Sequence, residues 1–275
     1  MANIFQDDFS KLEHEGWSRV SVLYDQSWAN LTKQFIEPLL EAVDIHPGMH
    51  VLDIACGPGY VAQGIYLKHG IPTGVDFSAS MIKLAKKLYP YIEFVEGDAQ
   101  DLNFNDGTFD CVVMNFGMLH LLKPHLAISE ACRVLKNGGR YGFTVWAGPE
   151  KSPTAKVMND SIMQFADQNI KMPEAPSHYL FSDEQLCRKI LAENGFNEAS
   201  VCFKNLFVEW IVPSADFYFE TELNAGVRTA AFLKLQTGET LSKIKEAVTV
   251  GMKQFYDGRQ YHLKFCGCIV SAVKN

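Results

Sequence analysis

The sequence predicts an α/β protein with a largely parallel sheet covered by helices on both faces, and three observations lead there. Short runs rich in Val and Ile alternate with stretches of helical period between residues 49 and 146. Each run ends on a polar or glycine-containing turn, as in "VLDIACGPG" and "GVDF". At 275 residues the chain can bury one large core, with room for an appendage.

The elements follow in order. From Trp17 to Val43 the pattern is helical, with Leu31, Phe35, Leu39 and Val43 recurring every fourth residue and Ile36 and Leu40 widening the stripe. Pro47-Gly48 breaks it. Strand "MHVLDIA", helix "YVAQGIYLKHG", strand "IPTGVD", helix "SASMIKLAKKLYP" and strand "IEFVEGD" come next. Strand "FDCVVMN", helix "HLAISEACRVLK", a stop at Gly138-Gly139 and strand "RYGFTVW" complete the alternation. Beyond Ala147 the helical stretch "TAKVMNDSIMQFADQ" leads into the Pro-rich "MPEAPSHYLF". Ser182 and Gln185 form a capping box before "LCRKILAEN", and Gly195 suits the C-cap. "EASVCFKNLFVEWIV" is a strand, a helical insertion runs from Pro213 to about Tyr256, and "YHLKFCGCIVSAVK" is a long last strand. The expected organisation is a single domain over 1–275, with 1–46 as an N-terminal helical lid and 213–256 as a second helical cover.

Composition narrows the function. A hydrophobic fraction of 47% with 21% charged residues is ordinary for a soluble globular chain. A formal net charge of -7 without Lys/Arg runs argues against a nucleic-acid partner. No apolar run approaches the ~20 residues of a membrane span, and "MANIFQDDFSKLEHEG" lacks the basic and apolar blocks of a secretion signal. Seven cysteines at 56, 111, 132, 187, 202, 266 and 268 make no disulfide framework, so reduced thiols and a cytoplasmic location are expected. Cys266 and Cys268 share a strand face, but no CxxC or HxxxH supplies further soft ligands, and no metal site is expected.

In an open parallel sheet, ligands bind beyond the carboxyl ends of the strands. The first strand ends in "DIACGPG", where Gly57 and Gly59 permit a sharp turn and close backbone approach. Asp76 ends the second strand, where ribose hydroxyls are met in such folds, and Asp98 follows the third. Asn115 and Phe116 end the fourth, at the switch point.

Together, "VLDIACGPG", "GVDFSASMI", "EGDAQDL", "FDCVVMNFGMLH" and "RVLKNGGRYGFTVW" resemble the class I S-adenosylmethionine-dependent methyltransferases, in particular the small-molecule group typified by ubiquinone/menaquinone-biosynthesis enzymes. The likeness covers residues 47–146. It implies a Rossmann-like, doubly wound sheet of seven strands with an antiparallel last strand, and S-adenosylmethionine as donor, with S-adenosylhomocysteine as its product. By the resemblance, Asp53 helps hold the loop of Ala55, Cys56, Gly57 and Gly59 and interacts, directly or through water, near the methionine ammonium. Gly57 and Gly59 would let the loop pass close to the cofactor. Asp76 would bind the ribose, with Phe77 and Met81 beside the adenine. Asp98, with Ala99 and Gln100, would face the adenine amine, and Asn115 and Phe116 would line the methionine arm. Ala55 stands where the family often has glycine, which fits only if its φ is negative. Asn137 replaces the usual proline of "LKPGG".

Methyl transfer is an in-line displacement in which alignment supplies much of the rate. An acceptor with an acidic carbon, phenol or amine needs a base. His120, just beyond the fourth strand, is the first candidate, and His178 is the second. Trp17, Tyr24 and Trp28 fall on one helix face, with Tyr24 and Trp28 an i, i+4 pair, and Tyr24 is expected to touch the cofactor. Two rival functions remain at this point. A nicotinamide-dependent oxidoreductase would use "GPGYVA" as a dinucleotide loop, but Asp53 and Asp98 have no role in it. A non-catalytic S-adenosylmethionine-binding protein would keep the cofactor site and have lost the chemistry, and nothing in the donor motifs looks eroded. The expected partner is a small-molecule acceptor, with a homodimer as a candidate assembly.

Overall fold

The computed structural model describes residues 7–21 and 23–275. The first six residues of the expected N-terminal lid, and Val22, lie outside them. A seven-stranded sheet runs in the order β3-β2-β1-β4-β5-β7-β6. Its strands are β1 (His50–Ile54), β2 (Ile71–Asp76), β3 (Glu93–Glu96), β4 (Phe109–Asn115), β5 (Leu135–Trp146), β6 (Cys202–Val212) and β7 (Tyr261–Val273). β7 is antiparallel to both β5 and β6, and the pairs among β1 to β5 are parallel. Strand order reverses between β1 and β4, which places the crevice at the ends of those two strands.

Helices cover both faces. On one, α3 (Ile36–Ala42) and α4 (Tyr60–Leu67) pack Leu39, Leu40, Val43, Val61 and Ile65 against Val51 and Val113. On the other, α6 (Pro124–Val134) and α8 (Glu184–Glu193) bury Ala127, Ile128, Ala131 and Leu191 with Leu52, Val112 and Phe143. α5 (Ala79–Leu88) lies along β2 and β3, with Ser78 as its N-cap. Between β6 and β7 the chain forms α9 (Phe217–Ala225), α10 (Arg228–Lys234) and α11 (Gly238–Met252). These join α7 (Pro153–Phe165) in a separate apolar cluster with Trp210, Val212 and Phe265.

Four sequence expectations need correction, three of them here. The helix expected from Trp17 to Val43 is three helices: α1 (Asp8–Val20), α2 (Ala29–Thr32) and α3, with 3-10 turns at Tyr24–Gln26 and Lys33–Phe35. Pro38 gives a reason for the second break, since its ring would press on the carbonyl four residues back in a continuous helix. Ser27 bonds back to the carbonyls of Leu23 and Tyr24 at the first. Tyr24 and Trp28 therefore do not share a helix. The α8 cap is Asp183, which accepts from the amides of Gln185 and Leu186; the Ser182 hydroxyl donates instead to the Tyr179 carbonyl. Finally, α6 ends at Val134 and Gly138-Gly139 lie inside β5, where the β4–β5 register shifts, so they form an irregularity in a strand and not a helix stop.

Candidate active site

β1 carries a carboxylate, Asp53, inside a buried strand, and the helix that follows gives it a partner. The N-cap of α4 is Gly59, which has no side chain to accept from the first-turn amides. Asp53, fully buried, reaches up from β1 and accepts from Ala62 N at 3.0 Å. Burial pushes its carboxyl well above the usual carboxylate range, with the nearby Asp76 adding to the shift. Its second oxygen, Oδ1, is buried without a partner among the described residues.

Asp76 holds the same loop from the other side. Its Oδ2 accepts from Gly57 N and its Oδ1 from Ser78 N, each at 2.9 Å. Burial raises it to about 6. The two glycines differ in what they do. Gly57 (φ 51) has open space where a Cβ would be, whereas at Gly59 (φ 87) a Cβ would run into the Phe94 ring. Gly57 has open room beside it, and Gly59 is a packing requirement.

Ala55 carries the fourth correction. Its φ is 53, left-handed and not negative as the sequence reading required. The neighbouring strand end repeats the feature: Phe116 has φ 54. Its amide donates to Thr144 Oγ1 at 3.0 Å, and its ring stacks on Trp146 at 4.1 Å. Two non-glycine residues held left-handed at adjacent strand ends store strain where β1 and β4 diverge.

These strand ends open into a chamber of about 390 Å³, within the usual range of small-molecule sites. Of the residues expected to meet the cofactor, Tyr24, Ala55, Cys56, Gly57, Asp76, Phe77, Met81, Asp98, Ala99, Gln100, Asn115 and Phe116 line it, as do His120 and His178. Asp53 and Gly59 do not. Asp98 turns its own chain, accepting from Gln100 N at 2.8 Å, and Gln100 Oε1 accepts from Lys123 N. Asn115 Oδ1 accepts from Thr144 Oγ1 at 2.6 Å. The Tyr24 hydroxyl is paired with Thr32 Oγ1 at 3.0 Å, and burial raises its pKa.

The sequence reading missed Glu13. It lies on α1, is 1% exposed, and its Oε2 meets His120 Nδ1 at 2.9 Å. Trp17 Nε1 donates to the same oxygen, and the Trp17 ring stands edge-on to His120 at 4.8 Å. Glu13 Oε1 is buried without a partner among the described residues and Glu13 lines the chamber. The signal for it was the i, i+4 spacing of Glu13 and Trp17 on one helix. Also unforeseen were Tyr218, Glu222 and Arg228 from the insertion, which complete the wall. His178 is kept neutral: burial, then the neighbouring His120 and Arg228, push it down to about 3. Among the described residues no group of His, Cys, Asp and Glu is placed to hold a metal ion.

Residues 51–139 match a family model described as a methyltransferase domain. A demethylmenaquinone methyltransferase of Renibacterium salmoninarum is 30% identical over 185 residues, spanning 64% of this chain and 77% of that protein. This chain belongs to the S-adenosylmethionine-dependent methyltransferases. A ubiquinone/menaquinone biosynthesis C-methyltransferase of Ruegeria is 29% identical over 131 residues, 45% of this methyltransferase and 52% of that protein. Among solved structures, phosphoethanolamine N-methyltransferase 2 of Haemonchus contortus, in complex with S-adenosyl-L-methionine, has a TM-score of 0.53 and 17% identity, covering 88% of this chain and 52% of that one. The [4+2]-cyclase SpnF reaches a TM-score of 0.55 at 20% identity, covering 90% and 83%. The fold therefore does not by itself carry the reaction. What assigns the methyltransferase is the sequence relationship, and it displaces the nicotinamide reading.

Proposed function

We propose that this methyltransferase alkylates a small organic acceptor held between the strand ends and the helices α1, α9 and α10, with His120 as the base. The observation that carries the reading is the Glu13–His120 contact of 2.9 Å inside the chamber that also holds the donor motifs. The names of the relatives, which specify demethylmenaquinone and carbon methylation, support a small molecule as acceptor.

The residues present fit the donor. Gly57 leaves open space toward the chamber, Asp76 keeps carboxylate lone pairs beyond its two amide bonds, and Asp53 holds the loop beneath them. In this reading Asp76 accepts from ribose hydroxyls, the Asp98–Gln100 turn meets the adenine, and Asn115 and Phe116 flank the methionine arm. When bound, the sulfonium supplies an electrophilic methyl group. Glu13 Oε2 accepts from His120 Nδ1–H, which leaves Nε2 free to take the proton of the acceptor's O–H, N–H or acidic C–H. The imidazolium so formed is balanced by the Glu13 carboxylate. α1 and the insertion act as covers that exclude water from the chamber. The reading places the enzyme in a reducing cytoplasm, in keeping with seven unpaired cysteines. It also includes a homodimer, for which Phe207 and Ile211, exposed on edge strand β6, offer apolar surface; sedimentation equilibrium checks that part.

The test is calorimetry with S-adenosylhomocysteine, followed by transfer of labelled methyl to a panel of quinols, phenols and amines. Wild type and His120→Ala should bind S-adenosylhomocysteine alike, while His120→Ala should lose roughly 10²–10⁴ in turnover. Absence of binding in the wild type would overturn the donor site. Full turnover in His120→Ala would remove the base.

A further inference from the structure

The insertion places in the chamber a charged group that methyl transfer, as described, does not use. Glu222 lies on α9 one turn after Tyr218, whose hydroxyl donates to Glu222 Oε1 at 3.0 Å. Thr229, at the start of α10, bonds the carboxylate through its side chain. A Cβ on Gly226 would press on Glu222 Oε2, so the α9–α10 turn closes directly around the carboxylate. Its accessible side faces the chamber.

No cation offsets this charge among the described residues. Lys245 pairs with Glu220 and Asp216 instead. The Arg228 guanidinium is directed to the carbonyls of Leu119 and Pro176 and lies over the Phe9 ring. His178 is neutral, as shown above. Burial pushes Glu222 up to about 7, with the Tyr218 and Thr229 hydroxyls opposing it. A partly buried carboxylate held, among the described residues, only by neutral hydroxyls carries a desolvation cost that an amide making comparable bonds would avoid. A ligand cation in the chamber removes that cost.

Two further features of the same wall favour such a ligand. Tyr218, Tyr179 and Trp28 line the chamber beside Glu222, and aromatic faces attract cations. Glu13 Oε1, also on the chamber wall, is buried and lacks a donor among the described residues. An acceptor bearing N–H groups would satisfy one wall through charge and the other through a hydrogen bond.

We infer that Glu222, Tyr218 and Tyr179 form an anchoring subsite for an ammonium group, so that the acceptor is an amine-bearing molecule and not a purely hydrocarbon-substituted quinol. This rests on the reading of the chamber as the acceptor site. An ammonium has no lone pair, so it anchors the acceptor, and the atom that receives the methyl lies elsewhere on the same molecule.

The experiment uses the full chain saturated with S-adenosylhomocysteine and titrated with two matched pairs: tryptamine against tryptophol, and 2-phenylethylamine against 2-phenylethanol. Each pair differs only in ammonium against hydroxyl. The amines should bind at least about tenfold tighter than the alcohols. Glu222→Gln, isosteric and able to keep both hydroxyl bonds, should shrink that preference to less than about threefold with S-adenosylhomocysteine affinity unchanged. Equal binding of amine and alcohol by the wild type, no amine binding, or a preference that survives in Glu222→Gln overturns the subsite. The wild-type comparison decides even if the variant folds poorly. Failure of the wild type to bind S-adenosylhomocysteine would overturn the methyltransferase site itself, and the subsite with it.

Discussion

Asp76 is where folding and ligand binding pull in opposite directions. Its carboxyl is raised to about 6 by burial, against an ordinary value of 3.8. A folded-state value above the unfolded one means that the contribution to stability is complete below pH 3.8 and is lost as pH rises through 6. Near neutral pH the ionised group therefore costs the ligand-free protein on the order of 3 kcal/mol. The wild type should gain stability relative to Asp76→Asn as pH falls from 7 to 4, measured by chemical denaturation of both without ligand. A gap that does not change with pH would show that Asp76 does not titrate in this range. Affinity for S-adenosylhomocysteine should run the other way and weaken below about pH 6, because ribose hydroxyls need the ionised acceptor. Asp76→Ala should weaken that binding by roughly 1–3 kcal/mol with the fold intact; unchanged affinity would remove the ribose assignment.

The β1–α4 turn divides its glycines between packing and ligand access, and substitution separates the two. Gly59→Ala brings a Cβ against the Phe94 ring and imposes a side chain at φ 87, so a loss of roughly 2–4 kcal/mol of stability is expected. Gly57→Ala meets no atoms within 4 Å and should cost only about 1–2 kcal/mol from its left-handed backbone, while obstructing the donor. Ala55→Gly should be nearly neutral or stabilising by up to about 1 kcal/mol, since relief of the left-handed alanine exceeds the added freedom of the unfolded chain. Thermal melts of the three, with S-adenosylhomocysteine titrations, check the pattern; equal destabilisation at Gly57 and Gly59 would contradict it. The contrast shows what is legible in a sequence. Strand and helix alternation, and the polar residue at each strand end, depend on local pattern and were readable. The φ of Ala55 was not, because it is set by how β1 and β4 diverge, and neither residue signals that locally. Pro38 was readable in principle, but the apolar stripe from Leu31 to Val43 is compatible with both a continuous helix and a broken one. All of Leu31, Phe35, Leu39 and Val43 are buried despite the breaks. Glu13 and Glu222 escaped notice because their partners lie in distant parts of the chain or in a segment without motifs.

At the scale of the molecule, the sheet supplies the donor side of the chamber, and two helical segments from opposite ends of the sequence supply its cover. α1 reaches the turn after β4 through Glu13–His120 and α5 through Ser18, whose carbonyl accepts from Ser80 Oγ at 3.3 Å. The segment after it is tied down by Asp25, which accepts from the Tyr60 hydroxyl at 2.5 Å and pairs with Lys33. The covers also meet each other: Gly16 lies against Val227, and Trp28 Nε1 donates to the Ala225 carbonyl at 3.2 Å. The contacts of α1 and the segment after it with the strand ends and with the insertion are mostly polar and close to the chamber, whereas α9–α11 are also fixed to β6 and β7 by their apolar cluster. If such contacts open to admit ligand, the free-energy cost of opening should be far below that of global unfolding. Residues 10–30 and 213–256 should therefore gain protection from amide exchange when S-adenosylhomocysteine is added, because each ligand contact with α1 or the insertion penalises the open state. Amides of β1, β4 and β5 should change little, being already protected to the level of the whole fold. Cover segments equally protected with and without ligand would mean that they are permanently docked. The chamber would then have to fill by another route, and exclusion of water would be a fixed property of the fold.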